Sequence, residues 1–199
     1  RRTRAVVKIE DGCNRFCSYC IIPYSRGRVR SKPIGELKCE LQRLSDAGFA
    51  EVVLVGINLS AYGTDIGLSI CDAVELADRM NFRRVRLGSL EPDHITDEVI
   101  DRLAKLPSFC PQFHISLQSG CNNTLKAMNR HYSAEEYFEL CQKLRASFPE
   151  VTITTDIMVG FPTESEEDFA ENVRFAQKIG FEKVHVFPYS PREGTKAAK

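Results

Sequence analysis

AVVKIEDGCNRFCSYC, residues 5–20, joins two unlike pieces of chain. Apart from Lys8, residues 5–9 are apolar and rich in β-branched side chains, the pattern of a strand. Cysteines then follow at 13, 17 and 20. Three thiols are one short of a structural zinc site, which takes four ligands, commonly as two close pairs. His94, His114, His131 and His185 are all remote in sequence, and Cys39 falls within a helix pattern. Iron–sulfur clusters are also held by thiolates, usually four. Three thiolates on a four-iron cluster leave one iron open, and an open metal position marks a reactive site.

Downstream of this loop, strand-like runs alternate with helix-period segments. A helix follows Ser31 and Pro33, with Ile34, Leu37, Leu41 and Leu44 on one face and Gly48 as its stop. Residues 51–55 (EVVLV) form a second strand without polar alternation, expected to be buried on both faces. A helix over 70–80 leads to a third strand, 83–87, and another helix spans 97–106. The fourth strand is 112–117. Ser133 and Glu136 make a capping box for the next helix. The fifth strand is 151–159. Thr163 and Glu166 read as a second capping box, for a helix ending near Gly180. The sixth strand is 183–187. The helical aromatics Phe138, Phe169 and Phe175 read as core, as does His185, and Cys39 and Cys141 as small buried hydrophobes.

Six strand–helix alternations with short connections predict an α/β fold with a parallel sheet and helical crossovers. Polar and glycine-rich stretches follow the strand ends: GINLSAYG, GSLEPD, QSGC, GFPTE and PYSPREGT. Functional loops gathered at that rim favour an incomplete TIM-like (β/α)6 barrel over an open doubly wound sheet. At 199 residues, with 43% hydrophobic and 27% charged residues, the chain reads as one domain with a full core. No apolar run approaches the ~20 residues of a membrane span. No signal-peptide pattern is present, so a cytoplasmic protein is expected. Charges balance at 27 against 27, which argues against a whole-chain grip on nucleic acid. Local basic clusters remain: Arg1, Arg2 and Arg4; Arg26, Arg28, Arg30 and Lys32; Arg83, Arg84 and Arg86. The even count of 8 cysteines invites disulfides, but a chain of this size does not need such staples.

The CxxxCxxC spacing, with Tyr19 before the last cysteine and a loop position after the first strand, resembles the radical-SAM superfamily. The resemblance runs along nearly the whole chain. IEDGCNRFCSYCIIPYSRGRVRS, EVVLVGINLSAYG, RLGSLEPD, FHISLQSGC, LKAMNRHYSAEEY, TDIMVGFPTESEEDF and HVFPYSPREGTKAA look like the radical-SAM methylthiotransferases. RLGSLEPD, FHISLQSGC and HVFPYS look most like the bacterial branch that modifies N6-threonylcarbamoyladenosine in tRNA. Thr163 departs from the glycine usual after GFP, and Ser25 from the alanine common before RG.

The resemblance implies a 4Fe-4S cluster on Cys13, Cys17 and Cys20 that reduces S-adenosylmethionine to a 5′-deoxyadenosyl radical. A second 4Fe-4S cluster, in an N-terminal domain of the full-length protein, is implied to supply sulfur, and a C-terminal TRAM-type domain to bind RNA. Residues 1–199 would then be the central domain alone. The implied partners are a tRNA and a reductant protein such as flavodoxin or ferredoxin, with no membrane. For S-adenosylmethionine, the resemblance points to Tyr19 beside adenine and to the backbone at Gly56 and Asn58 on the methionine amino group. It points to Arg130 for the carboxylate and to Gly160 bordering adenine, with Asp156 and Pro162 nearby. Ser89 and Glu91, after the third strand, and Gln118 and Ser119, after the fourth, sit at rim positions facing the cavity. Arg26, Arg28 and Arg30 are candidates for substrate phosphate. Sister activities would modify isopentenyladenosine tRNA or a ribosomal-protein side chain. A zinc-stabilised nucleic-acid-binding module is the alternative of a different class.

Overall fold

The computed structural model describes residues 3–199, so Arg1 and Arg2 of the first basic cluster lie outside it. Along the chain, β1 (Arg4–Lys8) leads into a two-residue strand β2 (Glu10–Asp11), helix α1 (Ile22–Arg26) and β3 (Arg30–Ser31). Then come α2 (Ile34–Asp46), β4 (Glu51–Val55), α3 (Ile70–Asp78), β5 (Arg84–Leu87) and β6 (Ser89–Leu90). α4 (Asp97–Leu103), β7 (Gln112–Ile115), α5 (Asn122–Ala127), α6 (Ala134–Ser147), β8 (Thr152–Val159), α7 (Glu166–Ile179) and β9 (Lys183–Pro188) complete the order.

β1, β4 and β5 pair in parallel, and β6, β7, β8 and β9 form a second parallel set. Gly88 alone separates β5 from β6, and a bridge from Val85 to Phe109 carries the pairing across the break. The result is six consecutive parallel strands, with β5 and β6 as halves of the third. Each helix packs against the next, α2 on α3, α3 on α4, α4 on α6 and α6 on α7. This arc covers one face of the sheet, where Val7, Val52, Leu54, Val85, Phe113, Ile115 and Ile153 are buried. β1 and β9 do not pair with each other, so the barrel is incomplete, as expected. Among the described residues no helix is long and apolar enough to cross a membrane.

The open barrel explains several departures from the sequence reading. β4 is buried on its helix face, but Val53 and Val55 are only half-buried, because they face the concave side. Glu51 on that side is 2% exposed and holds three guanidiniums: Arg4 Nε at 2.5 Å, Arg84 Nε at 2.7 Å and Arg86 Nε at 3.0 Å. Arg4 and Arg84 stay half in solvent while their guanidiniums, with that of the more buried Arg86, close on Glu51 at the floor of the barrel. His185 is exposed on β9 and is not a core residue. Phe169 is 41% exposed, since α7 has no further helix beyond it. Phe138 and Phe175 do pack on the core. Cys141 is buried, but Cys39 is exposed on the outer side of α2.

The second capping box is not formed by Thr163. Ser165 Oγ accepts the Asp168 N–H at 3.1 Å, and Asp168 Oδ2 accepts the Ser165 N–H at 3.0 Å. The stretch TESEED offers two overlapping Ser/Thr-to-acid frames. The earlier one is lost because Glu164 is tied into a turn: its N–H donates to the Phe161 carbonyl, and its carboxylate accepts the Gly160 N–H at 2.6 Å. The capping box at Ser133 and Glu136 forms as expected.

Candidate functional site

The cysteine loop leaves the C-terminal end of β1 and is clamped from two sides. β2 and β3 pair antiparallel, Glu10 with Ser31 and Asp11 with Arg30. The Cys13 N–H donates to the Gly27 carbonyl at 3.1 Å, and the Val29 N–H to Asn14 Oδ1 at 3.3 Å. Gly12 starts the loop at φ 86°, and a Cβ there would lie 2.0 Å from the Arg28 carbonyl oxygen, so only glycine fits. On the other side, the Ser18 N–H donates to the Met128 carbonyl at 3.0 Å, and Asn129 Nδ2 to the Phe16 carbonyl at 3.0 Å. The α5 turn that supplies these contacts was not legible as a helix.

Cys13, Cys17 and Cys20 are free and half-buried on this loop. Burial pushes the Cys13 and Cys20 thiols up, and negative charge on Cys17 adds to it. The three sulfurs thus lie within electrostatic reach of one another. Among the described residues, no three His, Cys, Asp or Glu side chains are gathered closely enough for a single metal ion. A structural zinc site takes four close ligands. A multi-iron cluster binds each thiolate to a different iron, so its thiolates stand farther apart. The three thiols on one rigid loop fit such a group.

Behind the loop lies a buried ionic chain. Arg130 donates through Nη1 to Cys17 Sγ at 3.3 Å, through Nε to the Tyr132 hydroxyl at 2.9 Å, and through Nη2 to the Ser116 carbonyl at 3.2 Å. Its Nη2 also donates to Glu91 Oε2. Glu91 in turn faces Arg15 Nε at 3.5 Å, and Arg15 Nη1 donates to Asp93 at 2.9 Å. The sequence placed Glu91 and Arg130 separately at the cofactor. The structure joins them to each other and puts the guanidinium on a cysteine sulfur.

Glu10 was missed. It is 2% exposed, and its Oε2 accepts the Asn58 N–H at 2.8 Å. Its Oε1 has no partner. Burial raises its pKa to about 7, opposed by the N–H groups of Asn58 and Ile57. Gly56 has its reason here: a Cβ would come within 2.6 Å of Glu10 Oε2. Alternation along β1 and into β2 was the available signal, since it puts residue 10 on the concave face.

Asn58 is buried with Oδ1 unpartnered, as is Gln118 Oε1. Gln118 adopts φ 68°, rare for a side chain of its size. Ser119 does not face the cavity: it is fully buried and accepts the Cys121 N–H at 3.2 Å. Tyr19 meets Phe161 edge to face at 6.3 Å and packs with Met128 and Met158. Gly160 is exposed at φ 69°, and Ser89 is exposed at the end of the broken third strand. Asp156 lies 3.2 Å from His114 Nε2, whose Nδ1 meets Thr154 Oγ1 at 3.0 Å. The concave face beneath the rim therefore carries a fixed imidazole–carboxylate pair.

Comparison with known proteins bears on this geometry. The Radical SAM superfamily profile matches residues 7–176. The chain is 44% identical over 197 residues to the threonylcarbamoyladenosine tRNA methylthiotransferase MtaB of Chlamydia pneumoniae, covering 98% of the chain and 47% of that protein. It is 41% identical over 200 residues to a tRNA-2-methylthio-N(6)-dimethylallyladenosine synthase of Clostridium botulinum, covering 98% of the chain and 44% of that protein. The chain thus spans about half the length of these relatives. The fold matches the radical S-adenosylmethionine methyltransferase TsrM from Kitasatospora setae, solved with cobalamin and a 4Fe-4S cluster, at TM-score 0.79 and 15% identity over 97% of the chain and 38% of TsrM.

Proposed function

The chain belongs to the radical SAM superfamily, and from that membership we propose that it is the radical-generating domain of a tRNA methylthiotransferase. The family implies a 4Fe-4S cluster and S-adenosylmethionine. The observation that carries the site is the set of three free thiols on one clamped loop at the strand ends, with Arg130 on Cys17. Cys13, Cys17 and Cys20 would hold the cluster. When bound, the cluster supplies the electron that cleaves S-adenosylmethionine.

The chain's own residues then position and shield. Arg130 offsets thiolate charge and anchors the loop to the fourth-strand end. Glu10 orders residues 56–58 through the Asn58 N–H, so that Gly56 presents backbone, and Asn58 its side chain, toward the cofactor. The unpartnered Oε1 of Gln118 and Oδ1 of Asn58 are acceptors for its polar groups. Tyr19 and Gly160 border the adenine, Ser89 the ribose or methionine end, and Glu91 holds Arg130 in place.

The substrate we assign is N6-threonylcarbamoyladenosine in tRNA, after the threonylcarbamoyladenosine named for relatives at 40–44% identity. Residues 1–199 hold no second close triplet of cysteines, so sulfur insertion is assigned to a second cluster outside them. We place the protein in the cytoplasm, with tRNA and a small reductant protein as partners.

The test is anaerobic reconstitution with iron and sulfide, reduction, and assay for 5′-deoxyadenosine from S-adenosylmethionine. Wild type should be brown and form product, and Cys17→Ala should lose both. A colourless wild type holding zinc would refute the radical reading. For the substrate, the longer enzyme carrying this domain should methylthiolate threonylcarbamoyladenosine tRNA; activity on isopentenyladenosine tRNA alone would refute the assignment.

A further inference from the structure

Two aromatic rings stand in solvent beside the cysteine loop. Phe16, between Cys13 and Cys17, is 38% exposed, and Tyr24 on α1 is 66% exposed. They meet edge to face with centroids 5.5 Å apart. The Arg28 guanidinium lies 5.8 Å from the Phe16 ring centroid. Phe16 adopts φ 53°, a conformation uncommon outside glycine, and the Asn129 bond to its carbonyl helps hold it there. Large apolar rings are usually buried, so a held and exposed pair calls for a ligand.

Charge defines the ligand's sign. Arg26 and Arg30 flank the rings with side chains 49% and 59% exposed. Asp11 answers them at 3.6 Å and 3.8 Å, but its nearest cation is Lys8 at 2.7 Å. One carboxylate thus serves three cations, and with Arg28 the patch stays positive. The hairpin of β2 and β3 fixes these arginines to the cysteine loop.

We propose that Phe16, Tyr24, Arg26, Arg28 and Arg30 form a docking surface for single-stranded RNA at the mouth of the radical site. The inference rests on the tRNA reading above and adds where the strand lies. Unpaired bases stack on aromatic faces whatever their sequence, while arginines take the phosphates. A run of acidic side chains such as polyglutamate would use the arginines but brings no aromatic base to stack on the rings.

The test is fluorescence anisotropy of the reconstituted chain with single-stranded RNA of about ten nucleotides. Tyr24→Ala should weaken binding about five-fold or more, and Tyr24→Phe should retain it. Arg26→Ala combined with Arg28→Ala should flatten the slope of log affinity against log salt by about 0.7 for each phosphate no longer neutralised. Circular dichroism checks that the fold survives, which the exposure of Tyr24 favours. Equal affinity of Tyr24→Ala and wild type would overturn the surface and leave the RNA substrate standing. No RNA binding by wild type would also overturn the surface, while the tRNA reading stands or falls on the longer enzyme's activity. Tyr24-dependent binding of a polyglutamate peptide in preference to RNA would give the surface to an acidic protein and overturn the proposal. Formation of 5′-deoxyadenosine without RNA reports on the radical reading independently.

Discussion

Replacing Glu10 by glutamine should stabilise the chain above neutral pH and change it little in mild acid. The carboxyl is 2% exposed, and one of its oxygens has no partner. Burial raises its pKa from 4.5 to about 7, and the Asn58 and Ile57 N–H groups pull the other way. A group whose folded pKa lies above its unfolded value supports the fold in acid. That support is lost as pH rises through the folded pKa. With 4.5 unfolded and about 7 folded, linkage removes about 2–3 kcal/mol between about pH 5 and about pH 8. Glutamine keeps the shape and an acceptor for the Asn58 N–H but does not ionise. Urea unfolding of both proteins across that pH span measures the difference by linear extrapolation. The variant's advantage should grow by about 2–3 kcal/mol from the acid to the alkaline end. A difference that stays constant across the span would refute the reasoning, because it would mean that Glu10 ionises as freely in the fold as in water.

Gly56→Ala should destabilise by about 1–3 kcal/mol in urea, because the new Cβ meets Glu10 at 2.6 Å; an unchanged midpoint would show that Glu10 moves aside freely. Ser165→Ala should cost about 1 kcal/mol through the lost cap of α7. Thr163→Ala should cost less, and equal losses in thermal melts would restore the earlier frame.

Strand and helix order were legible because each strand of a parallel sheet is a short apolar run between turn residues, and each crossover helix carries a 3.6-residue stripe. The cysteine triplet was legible because its ligands are adjacent in sequence. Glu10 was not, because nothing local says that Gly56, 46 positions on, leaves room for its carboxylate. Nor was the pairing of Glu91 with Arg130, which depends on how the third and fourth strand ends approach. His185 and Phe169 were misread as core because periodicity assigns a side chain to a face. It does not say whether anything covers that face, and the last strand of an incomplete barrel is left bare.

The contacts of Arg130 set an order of assembly. Its partners Cys17, Glu91 and Ser116 lie 113, 39 and 14 residues away in the chain. Contacts that span such distances close late, after the loop entropy between them has been spent. The local spacing of the cysteines therefore does not suffice to shape their loop. It takes its form only when the third and fourth strands have arrived. Iron supplied during refolding should be taken up after the far-ultraviolet dichroism is native; colour appearing first would show that the triplet gathers its irons unaided. Maturation of the metal site would then act as a check on folding, admitting the reactive group only to chains whose barrel can contain it.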